Sequence, residues 1–482
     1  MKGKYILAID QGTTSSRVVV LDEFSHLVSM YSHNFEQIYK DNEILQDANL
    51  IYEGVKGILD EAIKDYGLEN IHSIGITNQR ETTVIFNKKG LPLDYSISWQ
   101  SKHTQEICDT WKTLGYEPYI KDKTGLEVNA YFSASKMVYF LNKPEFKKAF
   151  EKKDALFGTM DTYLLYRLTD GKSYYTDVTN ASRTMLLDIS SLKYDEKLLS
   201  LFKIPVYMLP EVKPNQYQFG TYKDIPITAM IGDQQSALFG HLAFEKGMMK
   251  VTYGTGAFIL MNTGVEKFKS ETGLITTIAY ELDNKIYYAI EGSIFVAGSS
   301  VKWLRDKLSV IKTSKESEDL ARKSKKRVYF VPAFVGLGAP YWDTDVRGSM
   351  FGITEDTTKN DIIKATLDAI AFQVKDVVDV MIKESKIPLE RVYIDGGASD
   401  NNYLMQFQSN LLRCPLVKPK ETEITALGVG FLAGLGTLYR DINFIKENQK
   451  MLKKFMPISA YRESLEDYEG WKKAVKSART FK

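Results

Sequence analysis

Short apolar runs that break at glycine and hydroxyl residues open the chain. Ile6-Leu7-Ala8-Ile9 passes into Asp10-Gln11-Gly12-Thr13-Thr14-Ser15-Ser16-Arg17 and then into Val18-Val19-Val20-Leu21. The pattern predicts two strands joined by a turn, with Asp10 at a strand end and Arg17 just past the turn. About half a chain later it recurs as Met249-Lys250-Val251-Thr252-Tyr253, Gly254-Thr255-Gly256 and Ala257-Phe258-Ile259-Leu260-Met261. Such tips present unpaired N–H groups and hydroxyls that can wrap a phosphate chain. Either one alone reads better as an ordinary hairpin. Two together suggest related lobes closing on one nucleotide.

Elsewhere the periodicity alternates between helix and strand. Ile51, Val55, Ile58, Leu59 and Ile63 give residues 49–66 an apolar helical face. A strand at 71–77 ends in the polar cluster Asn78-Gln79-Arg80-Glu81-Thr82-Thr83, and Val84-Ile85-Phe86 resumes as a strand before a turn at 87–90. Ile227 to Gly232 is a strand ending at Asp233. Ile363, Leu367, Ile370, Val374, Val377 and Met381 mark a helix over 361–383, and 391–402 reads as strand, glycine turn and helix start. This is an α/β chain with ligand groups at strand ends and a boundary between residues 240 and 250.

At 482 residues, two or three domains are expected. The 63 basic residues are nearly balanced by 61 acidic ones, which argues against a general nucleic-acid binder. The basic run Arg322 to Arg327 has no interleaved aromatics and reads as a solvated face. Two distant cysteines, Cys108 and Cys414, suit a reducing compartment, and the five histidines form no zinc pattern. The first strand begins too early to leave room for a signal peptide, so the expected location is cytoplasmic. The uncharged stretch from Ile424 to Tyr439 is shorter than the roughly 20 residues of a membrane span. Its Gly430 and Gly434 fit close helix packing. Neither a P-loop nor a dinucleotide fingerprint is present: Gly171-Lys172-Ser173 has Tyr166 where the first glycine belongs, and Gly254-Thr255-Gly256 leads into a strand.

Asp10 and Asp233 could share a magnesium nucleotide, with one acid taking the proton of an attacking hydroxyl, or each could merely cap a turn. Gly396-Gly397 fits a base or ribose lying against bare backbone, or a helix start that needs unusual dihedrals. Arg80-Glu81 offers a donor fork beside an acceptor, which suits a polyhydroxyl ligand; a solvated ion pair is the alternative. Trp99 and Phe258 could wall carbon–hydrogen surface or simply pack in the core.

Taken together, the segments at 10–17, 75–83, 179–185, 232–235 and 253–256, Pro332-Ala333-Phe334, 336–343 and 395–398 resemble the FGGY-type carbohydrate kinases over nearly the whole chain. The resemblance implies two ribonuclease-H-like lobes of the actin and hexokinase type, with the active site between them. Residues 1–242 would carry the polyol site and first phosphate clamp, and 243–482 the second clamp and nucleotide site. It implies ATP- and Mg²⁺-dependent phosphorylation of glycerol by a homodimer or homotetramer. The polyol contacts map onto Arg80, Glu81, Trp99, Tyr131, Asp233, Gln234 and Phe258, with Asp233 as catalytic base. Thr13, Thr14, Ser15 and Arg17 match the first clamp and Thr255 the second. Gly298, Gly397 and Asn401 match nucleotide contacts, while Asp10 with Asp233 remain the candidate metal residues. Lys302 departs from the glutamine found there in the family. The short segment 220–226 lacks the loop that binds fructose 1,6-bisphosphate in some bacterial members.

Overall fold

The computed structural model describes residues 4–41, 43–343, 345–449, 451–458 and 461–481. The first two apolar runs form β1 (Tyr5–Gln11) and β2 (Ser15–Leu21), antiparallel with Asp10 opposite Arg17. With β3 (Leu27–Asn34), β4 (Ile71–Asn78), β5 (Gln216–Tyr222) and β6 (Ile225–Gly232) they make a sheet of order β5-β6-β4-β1-β2-β3. β1, β4 and β6 are mutually parallel, so the chain crosses over between them. Helix α1 (Ala48–Tyr66) covers one face and buries the apolar stripe anticipated from its periodicity. The Asp47 carboxylate caps it by accepting from the Leu50 N–H at 3.0 Å. A five-stranded side sheet, including Glu43–Gln46 and Thr83–Asn87, and helix α2 (Ser133–Leu141) extend this half.

β6 leads into α3 (Asp233–Gly240). Asp233 thus opens a helix rather than closing a strand, because Gly232 is the last extended residue. The second sheet holds β7 (Met248–Tyr253), β8 (Ala257–Gly264), β9 (Ile275–Leu282), β10 (Lys285–Ile294), β11 (Arg391–Asp395), β12 (Leu416–Pro419) and β13 (Met451–Phe455), in the order β9-β10-β8-β7-β11-β12-β13. β7 and β8 repeat the opening hairpin, and β11 flanks β7 in parallel just as β4 flanks β1. Helices α4 (Gly298–Asp306), α5 (Lys359–Ser385) and α6 (Asn402–Leu412) belong to this half. The basic run at 322–327 is solvated but ion-paired in part: Arg322 meets Glu318 at 3.1 Å and Lys326 meets Asp356 at 2.5 Å.

Between the two sheets lies a separate core that includes Ala8, Leu21, Ile231, Leu238, Phe239, Leu427 and Phe431. Helix α7 (Ile424–Gly434) comes from the C-terminal half yet packs on β1 and β4 and against α3. A Cβ at Gly428 would collide with the Ser236 carbonyl, and one at Gly240 with the Ile424 carbonyl. Gly430 sits against Leu21 and Ala8, and Gly434 against Tyr439, the close packing that the glycine pattern implied. A division near residues 242–243 separates the strands of the two sheets but not this helix.

Candidate active site

Arg80 and Glu81 follow β4 and are almost wholly buried. Arg80 Nη1 and Nη2 donate to Glu291 Oε2 and Oε1 at 2.8 and 3.0 Å, a bidentate pair between the two halves of the chain. Arg80 Nη1 also donates to Gln235 Oε1 at 3.1 Å, while Nε lies 3.2 Å from Asp233 Oδ1 and 3.6 Å from Glu81 Oε1. Arg183 completes the cluster, donating from Nε to Glu81 Oε1 at 2.6 Å and from Nη2 to Glu291 Oε1 at 3.0 Å. Burial alone would raise the pKa of Glu291, but Arg183 and Arg80 together hold it at about 2. Burial raises Glu81 despite the same two arginines. Gly232 makes room for this arrangement, since a Cβ there would sit 2.8 Å from Arg80 Cδ.

Asp233 keeps 26% of its side chain exposed. Burial of the carboxyl raises its pKa, against Arg80 and Lys250, and so favours its use as a proton acceptor. Gln234 follows on the same turn, and its amide oxygen accepts from Lys250 Nζ, which also donates to Thr252 Oγ1 at 3.0 Å. Burial depresses Lys250 to about 8 although Asp395, Asp233 and Glu291 all oppose the shift. At the far end of α3, His241 Nε2 meets Asp395 Oδ2. Asp10 is raised to about 7 by burial, which Arg17 opposes and the charges of Asp233 and Glu423 reinforce.

Trp99 packs edge-on against Tyr131 and Phe258, with ring centroids 5.6 and 5.9 Å apart. These aromatics come from three separate segments and adjoin the charged cluster, because Arg183 lies over the Tyr131 ring at 5.8 Å. The indole N–H of Trp99 donates to Thr13 Oγ1 at 2.9 Å, and Gln46 Nε2 donates to the Thr13 carbonyl at 2.8 Å. The first turn closes through Gly12 N–H to the Ser15 carbonyl at 2.8 Å. Neither the Thr13 nor the Thr14 N–H donates to protein among the described residues. Arg17 Nη1 reaches Glu423 Oε2 at 3.2 Å, joining this turn to the segment that enters α7.

The second turn is built into the start of α4. The Thr255 carbonyl accepts from the N–H groups of Ala297 and Ser299, and the Gly254 carbonyl from that of Gly298. The N–H groups of Thr255 and Gly256 have no protein acceptor among the described residues. Gly396 has φ 84° and lies so close to the Tyr253 backbone that only glycine fits. Gly397 is exposed with open space where a Cβ would point. Thr255, Gly298 and Gly397 are thereby gathered around one turn. The Asn401 side chain is occupied within the protein, since its Oδ1 caps α6 through the Leu404 N–H at 3.0 Å and its Nδ2 donates to Ser317 at 3.1 Å.

Not anticipated from the sequence are Glu291, Arg183 as a partner of Glu81, and Lys250. Glu291 is the one charge from Ala289 to Ile294, Lys250 the one charge in β7, and Arg183 the one charge in a polar turn, signals that do not say which partner burial will supply. Among the described residues no group of three or more His, Cys, Asp or Glu side chains could cage a metal ion. The neighbouring carboxylates Asp10 and Asp233 suit a cation that arrives with a triphosphate and keeps its waters.

Two sheets with matching turns, and a charged cluster flanked by aromatic rings where they meet, are the architecture of the two-lobed ATPase fold of the actin and hexokinase type. The chain belongs to the FGGY family of carbohydrate kinases. The N-terminal-domain model of that family matches residues 5–240 and the C-terminal-domain model residues 249–437. The chain is 47% identical to glycerol kinase of Lactococcus lactis over 99% of both chains, and 48% identical to that of Streptococcus uberis over 99% of both. It superposes on the crystal structure of Plasmodium falciparum glycerol kinase with ADP at a TM-score of 0.91, with 37% identity and 99% of each chain covered.

Proposed function

We propose that this chain transfers the γ-phosphoryl group of ATP to a terminal hydroxyl of glycerol, giving sn-glycerol 3-phosphate and ADP. The observation that carries this reading is Asp233: a partly exposed carboxylate with raised pKa, 3.2 Å from Arg80 in the charged cluster that Arg183 joins to the Tyr131 ring. The similarity to glycerol kinases over the full chain supports glycerol as the triol.

Arg80, Glu81, Tyr131 and Gln234 orient the hydroxyls, and Trp99, Tyr131 and Phe258 flank the carbon chain. Asp233 takes the proton of the attacking hydroxyl. Thr13, Thr14, Ser15 and Arg17 line one side of the triphosphate; Thr255, Gly298 and Gly397 line the other, with Asn401 at the edge. Asp10 and Asp233 would hold Mg²⁺, which neutralises phosphate charge when bound. The protein's own contribution is positioning and charge stabilisation in a site closed to water. The polyol half falls within 1–242 and most of the nucleotide half within 243–482. Two buried free thiols fit a cytoplasmic enzyme, and among the described residues no helix is long and apolar enough to cross a membrane. A homodimer or homotetramer is the assembly expected from the family resemblance.

Purified protein incubated with Mg²⁺, ATP and a panel of glycerol, dihydroxyacetone and longer polyols tests the reading. Glycerol-dependent ADP release with glycerol 3-phosphate as product supports it. Release that is indifferent to glycerol overturns it.

A further inference from the structure

We propose that Lys136 is a positioning residue that holds the polyol contacts Glu81 and Tyr131 in register with one another. This inference rests on the assignment of those two residues to the polyol.

Lys136 lies in the first turns of α2 and is fully buried. Its Nζ donates to three carbonyls: Tyr131 at 2.6 Å, Glu81 at 3.2 Å and Phe132 at 3.2 Å. Three donors meeting three acceptors saturate an ammonium group. All three are neutral dipoles, a costly way to house a buried cation. The position is also unfavourable for the helix, because a cation near a helix N-terminus opposes the macrodipole. Stability alone therefore gives little reason to place a lysine here.

What the ammonium holds supplies the reason. Glu81 has φ 62°, a left-handed conformation that a residue with a Cβ seldom adopts. That conformation turns its carbonyl into the interior, where Lys136 Nζ, Ser133 Oγ and Thr83 Oγ1 all donate to it. The carboxylate of the same residue is held by Arg183 in the cluster that contains Arg80. The other two carbonyls belong to the segment that presents the Tyr131 ring to Trp99. Glu81 and Tyr131 stand far apart in sequence, yet one cation sets the spacing of their backbones.

Lys136→Met keeps most of the side-chain length and removes the donors. Its expected effect is a rise of tenfold or more in the KM for glycerol, with the KM for ATP within twofold. Lys136→Gln, which retains one amide donor, is expected to fall between wild type and Met, and serves if the Met variant does not fold. Phe140→Leu on the same helix controls for loss of stability. An equal rise in glycerol KM at a matched melting temperature would reduce Lys136 to a structural role and overturn the proposal. In the Lys136→Met, Glu81→Gln double variant the rise in KM should be smaller than the product of the two single effects, since one residue acts through the other. If Glu81→Gln and Tyr131→Phe raise the glycerol KM while Lys136→Met and Lys136→Gln do not, only this proposal fails. If neither Glu81→Gln nor Tyr131→Phe changes it, the polyol assignment fails and carries the proposal with it.

Discussion

The indole N–H of Trp99 donates to the Thr13 hydroxyl at 2.9 Å, so one wall of the proposed polyol site is bonded to the turn proposed to face the phosphates. Gln46 fixes the same threonine through its carbonyl. Trp99→Phe keeps an aromatic ring but removes this donor, a loss of about 1 kcal/mol, together with part of the ring surface that packs on Tyr131 and Phe258. The KM values for glycerol and for ATP should both rise, by roughly three- to tenfold for a bond of that strength. Steady-state kinetics with each substrate varied in turn checks this. An effect confined to glycerol would mean that the bond transmits nothing to the turn.

Asp233→Asn removes the proposed proton acceptor but keeps the shape and the start of α3. General-base assistance contributes about 10²–10⁴-fold, so turnover should fall by that order while ATP binding changes little. A coupled ADP assay beside a nucleotide titration measures both. Near-normal turnover takes Asp233 out of its role.

Glu291 joins the halves of the chain through Arg80 and Arg183, and its effect on stability depends on pH. Its folded pKa, held at about 2, lies below the ordinary carboxylate value. A depressed acid contributes stability that is fully present above its unfolded pKa and lost as pH falls through its folded pKa. The contribution, about 3 kcal/mol, should therefore fade between about pH 5 and pH 2. Glu291→Gln leaves two buried guanidinium groups short of a charge partner, so at neutral pH about 3–5 kcal/mol should be lost. Urea unfolding of both proteins at pH 7 and pH 4 should show the gap narrowing on acidification.

Asp10 stands opposite Arg17 across the first hairpin and close to Asp233. Chelation of divalent cations should abolish turnover. Asp10→Asn should raise the Mg²⁺ concentration needed for half-maximal rate by about tenfold, the worth of roughly 1.4 kcal/mol. A Mg²⁺ titration at fixed ATP reports this, and an unchanged midpoint would release Asp10 from the metal.

Both hairpins are legible because apolar runs of strand length flank glycine turns, and the stripes of α1 and α5 because their spacing is helical. Arg80 and Glu81 stand out as a charged pair in an otherwise neutral connection. Their real partners do not. Glu291 is the one charge in the stretch Ala289 to Ile294, and it meets Arg80 across 211 positions of sequence. Lys250 is likewise a single charge in a strand, bonded to a glutamine that no periodicity points to. The start of α3 is blurred by one residue, since Gly232 and Asp233 suit a strand end and a helix start equally well. Asn401 is a second case: its motif is visible, but the helix cap and the Ser317 contact that its amide makes are not.

Helix α3 spans eight residues, a rod of about 12 Å. Its leading residue is Asp233, the acid proposed to meet the triol, and His241, the residue just past its end, bonds Asp395 just ahead of the paired glycines. Backbone-to-backbone seating on α7 leaves the rod no slack in which to bend. Tilting it at one end would swing the other, so a shift at Asp233 would be carried to Asp395 by a lever about two turns long.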